Sequence, residues 1–153
     1  MTKMLSYECK AFAELTVYEL YALMRLRQEV FIIEQDCNYL DADNKDQFSH
    51  HVLGIDSNGS IHAYARILPA GVAYDGYASI GRVINAQAVR RQGEGIRLME
   101  YALRCIALLY PDVPVKISAQ SYLLNFYGKF GFIPEGDEYL EDNIPHTAMI
   151  LKV

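Results

Sequence analysis

Two arginines and two glycines stand just ahead of an apolar helical repeat in the stretch from Ser79 to Ala102, SIGRVIN followed by AQAVRRQGEGIRLMEYA. Ile80, Val83 and Ile84 read as a strand, and Arg90-Arg91-Gln92-Gly93-Glu94-Gly95 opens a helix whose apolar face recurs at Ile96, Met99, Leu103 and Ile106. The first turn of a helix carries amide hydrogens without intrahelical partners and the positive end of the helix dipole, so it can hold a phosphate. Gly93 and Gly95 have no side chain to keep an anion from those donors, and Arg90 and Arg91 add positive charge. The stretch therefore reads as a pyrophosphate cradle, with plain capping or close packing as the ordinary explanation of the same glycines. It lacks the Lys-Ser/Thr ending of a P-loop and the third glycine of a dinucleotide fingerprint, which argues against nucleotide hydrolysis and NAD binding.

A second concentration of chemistry is acidic. IIEQDCNYLDADNKDQ carries Glu34, Asp36, Asp41, Asp43 and Asp46, and a further run, Glu135 to Asp142, lies near the end of the chain. Each carboxylate alone is ordinarily a solvated loop residue; together they could line a cavity for a cation. Arg27 and Arg82, on an amphipathic helix and in an apolar strand, are expected to pair with carboxylates such as Asp43 or Asp46 and to organise the acidic loop. Cys9, Cys37 and Cys105 are odd in number and lack metal-ligand spacing, so neither a disulfide framework nor a metal site is expected. Cys37 alone lies in a polar stretch, where packing and reactivity both stay open.

The elements that position these residues follow from the same sequence. With 153 residues and 52% hydrophobic content, the chain suits a single domain with its own core, residues 1–153, without linker or repeat. The apolar runs are too short to span a bilayer and the first residues lack a signal-peptide core, so a cytoplasmic protein with no membrane partner is expected. A net charge of −5 argues against nucleic-acid binding. Ser6 to Ala13 is expected as a strand, and Thr16 and Glu19 have capping-box spacing ahead of a helix running to about Phe31. His50 to Asp56 and Ile61 to Leu68 flank an Asn-Gly pair and read as a hairpin, which the strand of Gly81-Arg82-Val83 extends to an antiparallel group of three. After the helix, Val115 to Ala119 is expected as a strand parallel to the one before the cradle. Tyr122 to Phe130 follows as a short helix ended by Gly131, and His146 to Val153 as a last strand. The fold class is α/β (α+β), with a mixed, mostly antiparallel sheet flanked by helices.

Arg90-x-x-Gly93-x-Gly95 after a strand, and Ser118-Ala119-Gln120 followed by Asn125-Phe126-Tyr127-Gly128-Lys129-Phe130-Gly131-Phe132, together resemble the GNAT acetyltransferases. The combination of LRQEVFIIEQDCNYLDADNKD, YARIL, IGRV, SAQSYLLNFYGKFGF and EYLEDNIPH is similar to the ElaA-like branch of that superfamily and covers nearly the whole chain. The resemblance implies an N-acetyltransferase that uses acetyl-CoA, without a metal, on a small-molecule or peptide amine. It also implies two parallel strands that splay apart to admit pantetheine. Carried over by position, the backbone of Val89, Arg90, Arg91, Gln92, Gly93, Glu94, Gly95 and Ile96 is implied to hold the pyrophosphate. Val83, Ile84 and Gln120 are implied to contact the rest of the cofactor.

Tyr127 is implied as the acid that protonates the departing thiolate; its alternative is an aromatic on a helix face beside Phe126, Phe130 and Phe132. Glu34 is the first choice of base among Glu34, Glu141, Asp142, His50 and His146, the histidines being equally readable as strand-end residues. Asp43, Asp46, Glu141, Asp142 and His146 are expected around the acceptor, which by charge should be a cationic amine. Arg27, Phe31, Asp43, Asp46 and Arg66 also resemble acyl-homoserine-lactone synthases, so a synthase-like acyltransferase is one alternative reading. A non-catalytic acyl-CoA sensor is another. Open strand edges leave room for a homodimer.

Overall fold

The computed structural model describes residues 4–153. The first strand, β1 (Ser6–Ala11), ends in a short 3-10 turn, Phe12–Glu14, rather than running on to Ala13. The capping box then forms as its spacing predicts: Glu19 N–H donates to Thr16 Oγ1 at 3.0 Å and Thr16 N–H donates to Glu19 Oε1 at 2.9 Å. It opens α1 (Val17–Arg27), which widens into a π-helical segment, Gln28–Glu34, instead of continuing as a regular helix. Seven residues are too few for apolar periodicity to separate the two helix types.

β2 (His50–Ile55), β3 (Ile61–Leu68) and β4 (Ser79–Asn85) pair antiparallel, and β1 adds to β2, giving the order β1-β2-β3-β4. The β2–β3 connection is longer than a two-residue hairpin. Asp56 Oδ1 accepts from the amides of Asn58 and Ser60, and Gly59 takes a φ of +85° while Asn58 stays at negative φ. Burial alternates along the central strands. Val52, Ala63, Ala65 and Ile67 pack with α2 (Glu94–Leu109) on one face, and Leu53, Tyr64 and Ile84 pack with Leu23, Leu26 and Val30 on the other. The sheet is thus covered on both sides, and emptying a position such as Leu98 costs about 2–5 kcal/mol. The face of α2 that enters this core is Leu98, Met99, Ala102 and Ile106; Ile96, expected on it, is 45% exposed in the first turn.

β5 (Val115–Gln120), β7 (Ile144–Leu151) and β6 (Ile133–Glu141) form a second antiparallel sheet in the order β5-β7-β6. The two sheets meet at one parallel bridge. Ala78 N–H donates to the Pro114 carbonyl at 3.0 Å, and Lys116 N–H donates to the Ala78 carbonyl at 2.9 Å. Beyond it β4 and β5 diverge, the splayed parallel pair that the resemblance implies. α3 (Leu124–Gly128) follows β5, and Gly131 reverses the chain with a φ of +97°. The acidic run from Glu135, expected as a flank of the acceptor site, is largely this edge strand β6.

Candidate active site

A groove of about 360 Å³ opens where β4 and β5 part. Its walls are Gly81–Val83 of β4, Ile117, Ser118 and Gln120 of β5, and Leu123 and Tyr127 beside and on α3. Phe31, Cys37, Tyr39, Asp43, Lys45, Glu141 and Asp142 also line it, and the buried His146 of β7 faces it from a further wall. Of the residues expected from sequence, Val83, Gln120, Tyr127, Asp43, Glu141, Asp142 and His146 therefore come together.

β4 is irregular where it lines this groove. Tyr64 pairs with Ile84 and Arg66 with Gly81, so Arg82 and Val83 stand opposite Ala65 alone, and Arg82 takes a φ of +51°. Such a bulge takes main-chain groups out of the ladder. On its other side β5 has already turned away, so the freed groups border the groove. Nothing in the pattern of IGRV announces this. The same twist of the strand puts the Ile84 side chain into the core with Leu23 and Leu26, which corrects its expected contact with a cofactor.

Tyr127 is 8% exposed and lines the groove, with Phe126 and Phe132 packed edge-on to its ring. Its hydroxyl makes no hydrogen bond among the described residues. Burial, with Tyr122 nearby, pushes that hydroxyl up to about 12, so it holds its proton at neutral pH. A buried phenol that keeps its proton and spends it on no protein group is fit to donate it to a ligand.

The residues expected to form the cradle lie at and just ahead of the start of α2. Gly93 is the N-cap of α2 at a φ of +80°, without a side-chain cap, and a Cβ placed there would meet nothing within 4 Å. The space beside the helix start is therefore open at Gly93, and Arg91 and Gln92 next to it are exposed. Gly95 lies close to Asn85 Nδ2 and Phe126, at 3.2 and 3.8 Å from an added Cβ, so its lack of a side chain lets the start of α2 approach β4 and α3. The start of α2 is suited to a diphosphate and Tyr127 lines the groove, the two features a coenzyme A thioester would use.

For Glu94 the resemblance implies a main-chain contact only. Its side chain is buried and accepts from Leu5 N–H at 3.1 Å, Tyr7 Oη at 2.7 Å and Arg97, tying β1 to α2, so only its amide can serve an anion. Val89 likewise buries its side chain in the core. One correction concerns Glu34. It pairs with Arg90, whose Nε also donates to the Asn85 carbonyl at 2.9 Å, and it lies outside the groove lining. The expected base is therefore an ion-pair partner at the cradle, and Arg90 is already engaged.

The acidic loop is not a free negative surface. Arg27 donates to Asp41 Oδ2 and Asp46 Oδ1, both at 2.7 Å. Arg66 donates to both oxygens of Asp43 at 2.8 Å and to Asp46 at 2.9 Å, and Arg82 to Asp41 at 2.7 Å and Asp43 at 3.3 Å. Three guanidinium groups so balance three carboxylates. Burial would raise the carboxyls of Asp43 and Asp46, but Arg66 and Arg82 hold the first well below the usual range and Arg27 and Arg66 hold the second below it. The expected pairing of Arg27 and Arg82 is present. Asp46, expected at the acceptor, is buried in this lattice instead, and Asp41, its most engaged member, had no distinguishing signal beyond its spacing of two from Asp43. The charges left at the mouth are the carboxylates of Glu141 and Asp142 and the ammonium of Lys45.

A groove between diverging strands, lined by a proton-holding phenol, and a helix start open in front of Gly93 are features an acyl-CoA-dependent acyltransferase needs. The family model described as Acetyltransferase (GNAT) domain matches residues 28–153, and the chain belongs to that family. Within it the chain falls in the ElaA-like branch. It is 41% identical over 152 residues to protein ElaA of Escherichia coli, covering 98% of both chains. The crystal structure of E. coli ElaA superposes with a TM-score of 0.90, over 96% of this chain and 99% of that one. An acyl-CoA N-acyltransferase from Pseudomonas aeruginosa is 44% identical, with a TM-score of 0.89 over 95% and 98% of the two chains. A CoA-dependent acyl-homoserine lactone synthase, 17% identical with a TM-score of 0.76 over 97% and 82%, shares the fold alone.

No helix among the described residues is long and apolar enough to cross a membrane.

Proposed function

We propose that this protein transfers an acetyl group from acetyl-CoA to the primary amine of a small or peptide acceptor that carries positive charge. The observation that carries the reading is the Tyr127 hydroxyl, protonated and without a protein partner, in a groove whose mouth bears the carboxylates of Glu141 and Asp142. Acetyl-CoA supplies an activated acyl group and a thiolate leaving group. The first-turn amides from Glu94 to Ile96, with Arg91, hold its diphosphate, and Val83 and Gln120 border its pantetheine arm. The bulge at Arg82 and Val83 offers main-chain donors where negative charge develops on the carbonyl oxygen. Tyr127 gives its proton to the sulfur. Arg27, Arg66 and Arg82 neutralise Asp41, Asp43 and Asp46 of the acidic loop, so the negative charge selecting the acceptor is that of Glu141 and Asp142.

Titration with acetyl-CoA followed by release of free CoA in the presence of diamines, lysine amide, neutral amino acids and a phosphorylated amino sugar tests the reading. Cationic amines should win; preference for the phosphorylated sugar refutes the assignment of acceptor. Tyr127→Phe should lose about 10²-fold in kcat. Its melting temperature should be nearly unchanged, because no internal hydrogen bond is lost. Normal turnover by that variant removes the acid. Binding without CoA release for any amine points to a sensor, and a requirement for long-chain donors points to a synthase-like enzyme.

A further inference from the structure

Acyl transfer leaves one proton without a destination, because a cationic acceptor arrives as an ammonium and must be deprotonated before its nitrogen can attack. Glu34 is paired at the cradle and does not reach the groove. The opposite wall carries a better candidate. His146, on β7, is 6% exposed and lines the groove together with Tyr127.

Its Nδ1 is 2.7 Å from the Ile144 carbonyl oxygen, which can only accept, so Nδ1 carries the hydrogen. In the neutral ring the lone pair then sits on Nε2, which is 3.4 Å from Glu141 Oε2. Two acceptors facing each other need a donor between them: the ring when protonated, or an N–H of an incoming ammonium. Glu141 is itself held. Its Oε1 accepts from Ser118 Oγ at 3.3 Å, and Tyr139 Oη in turn donates to that serine oxygen. The Tyr139 ring stacks on the imidazole, with centroids 6.2 Å apart and planes at 23°. The other charged or titratable groups lining the groove are Asp142 in the β6–β7 turn, Tyr127 of α3, Cys37, Tyr39, Tyr74 and Lys45, and Asp43, Arg66 and Arg82, which are already paired with one another or with Asp41 and Asp46.

We propose that His146 is the base of the reaction and that Glu141 seats the ammonium beside it, with Ser118 and Tyr139 as positioning residues; this rests on the acyl-transfer reading above. The ammonium gives one proton to Nε2, and the lone pair released forms the N–C bond at the thioester carbonyl. As the C–S bond breaks, its electron pair leaves on sulfur, which takes the Tyr127 proton. The second proton of the new amide nitrogen restores the phenol, and His146 returns its own to solvent. The sum is ammonium plus thioester giving amide, thiol and one proton.

The test compares wild type, His146→Gln, Glu141→Gln and, as a control on the same strand outside the groove lining, Glu138→Gln. The acceptor is whichever diamine or lysine amide releases most CoA. His146→Gln should bind CoA as wild type does by calorimetry, lose about 10²-fold in kcat/KM at pH 7, and climb back tenfold per pH unit as free amine replaces the missing base. Glu141→Gln should raise KM for cationic amines, and Glu138→Gln should change neither. Nitrogen NMR of the unliganded protein, which has only four histidines, should show the Nδ1–H tautomer for His146. The proposal is overturned by an Nε2–H tautomer, by a His146→Gln rate equal to wild type, or by a loss of the same size at every pH, which marks a structural role. If wild type binds CoA but releases none with any amine, acyl transfer itself fails and the base assignment goes with it. Turnover by wild type with an unchanged His146→Gln profile removes the base alone.

Discussion

At the scale of single residues, Asp46 shows how a carboxylate expected to meet substrate is spent on structure. It is buried between Arg27 and Arg66, two cations that have no water to fall back on. Asp46→Asn should therefore destabilise by roughly 3 kcal/mol or more, since removing one member of a buried pair leaves charge uncompensated. The pH dependence has a definite sign. Asp43 and Asp46 have folded-state pKa values below their unfolded ones, so their contribution is complete above about pH 4 and is lost as pH falls through the folded values. Urea midpoints measured from pH 6 to pH 3 should drop for wild type and drop less for the Asn variant. A flat wild-type profile contradicts the lattice. Its cross-links, Arg27 to Asp41 and Arg66 to Asp43, span 14 and 23 residues, which is why local spacing showed the arginines needing partners without giving the full pairing.

At the scale of elements, the start of α2 is where one substitution should separate binding from folding. Gly93→Val puts a β-branched side chain at a φ of +80° and points it into the open space before the first-turn amides. CoA affinity by calorimetry should weaken at least about tenfold, which is about 1.4 kcal/mol, while the helix, packed through Leu98 and Met99, persists. Unchanged affinity places the diphosphate elsewhere. This element, α1 and its capping box, and the parallel placement of β5 were legible because each depends on neighbours in sequence: caps, periodicity, glycines. The illegible parts depend on partners far away. The bulge at Arg82 is set by pairing with β3, the burial of Glu94 by its bonds to β1, and β6 as an edge strand by a glycine-bulged register on β7 that breaks its alternation.

At the scale of the molecule, two sheets share one parallel bridge and diverge from it, so a ligand lying between them should act as a second fastening. With CoA at about a hundred times its dissociation constant, the folded state should gain about 2.7 kcal/mol. Hydrogen exchange should slow at Gly81–Val83 and Ile117–Gln120, and little in β1. Equal protection across both sheets, or none, would show that the cleft is not the binding site.

The outer strand of the second sheet carries Glu135, Asp137, Glu138 and Glu141, no cation, and Pro134, which lacks an amide hydrogen. Laid against its own copy, such a border sets like charges face to face and omits a rung from the ladder. Self-association through this margin is electrostatically disfavoured.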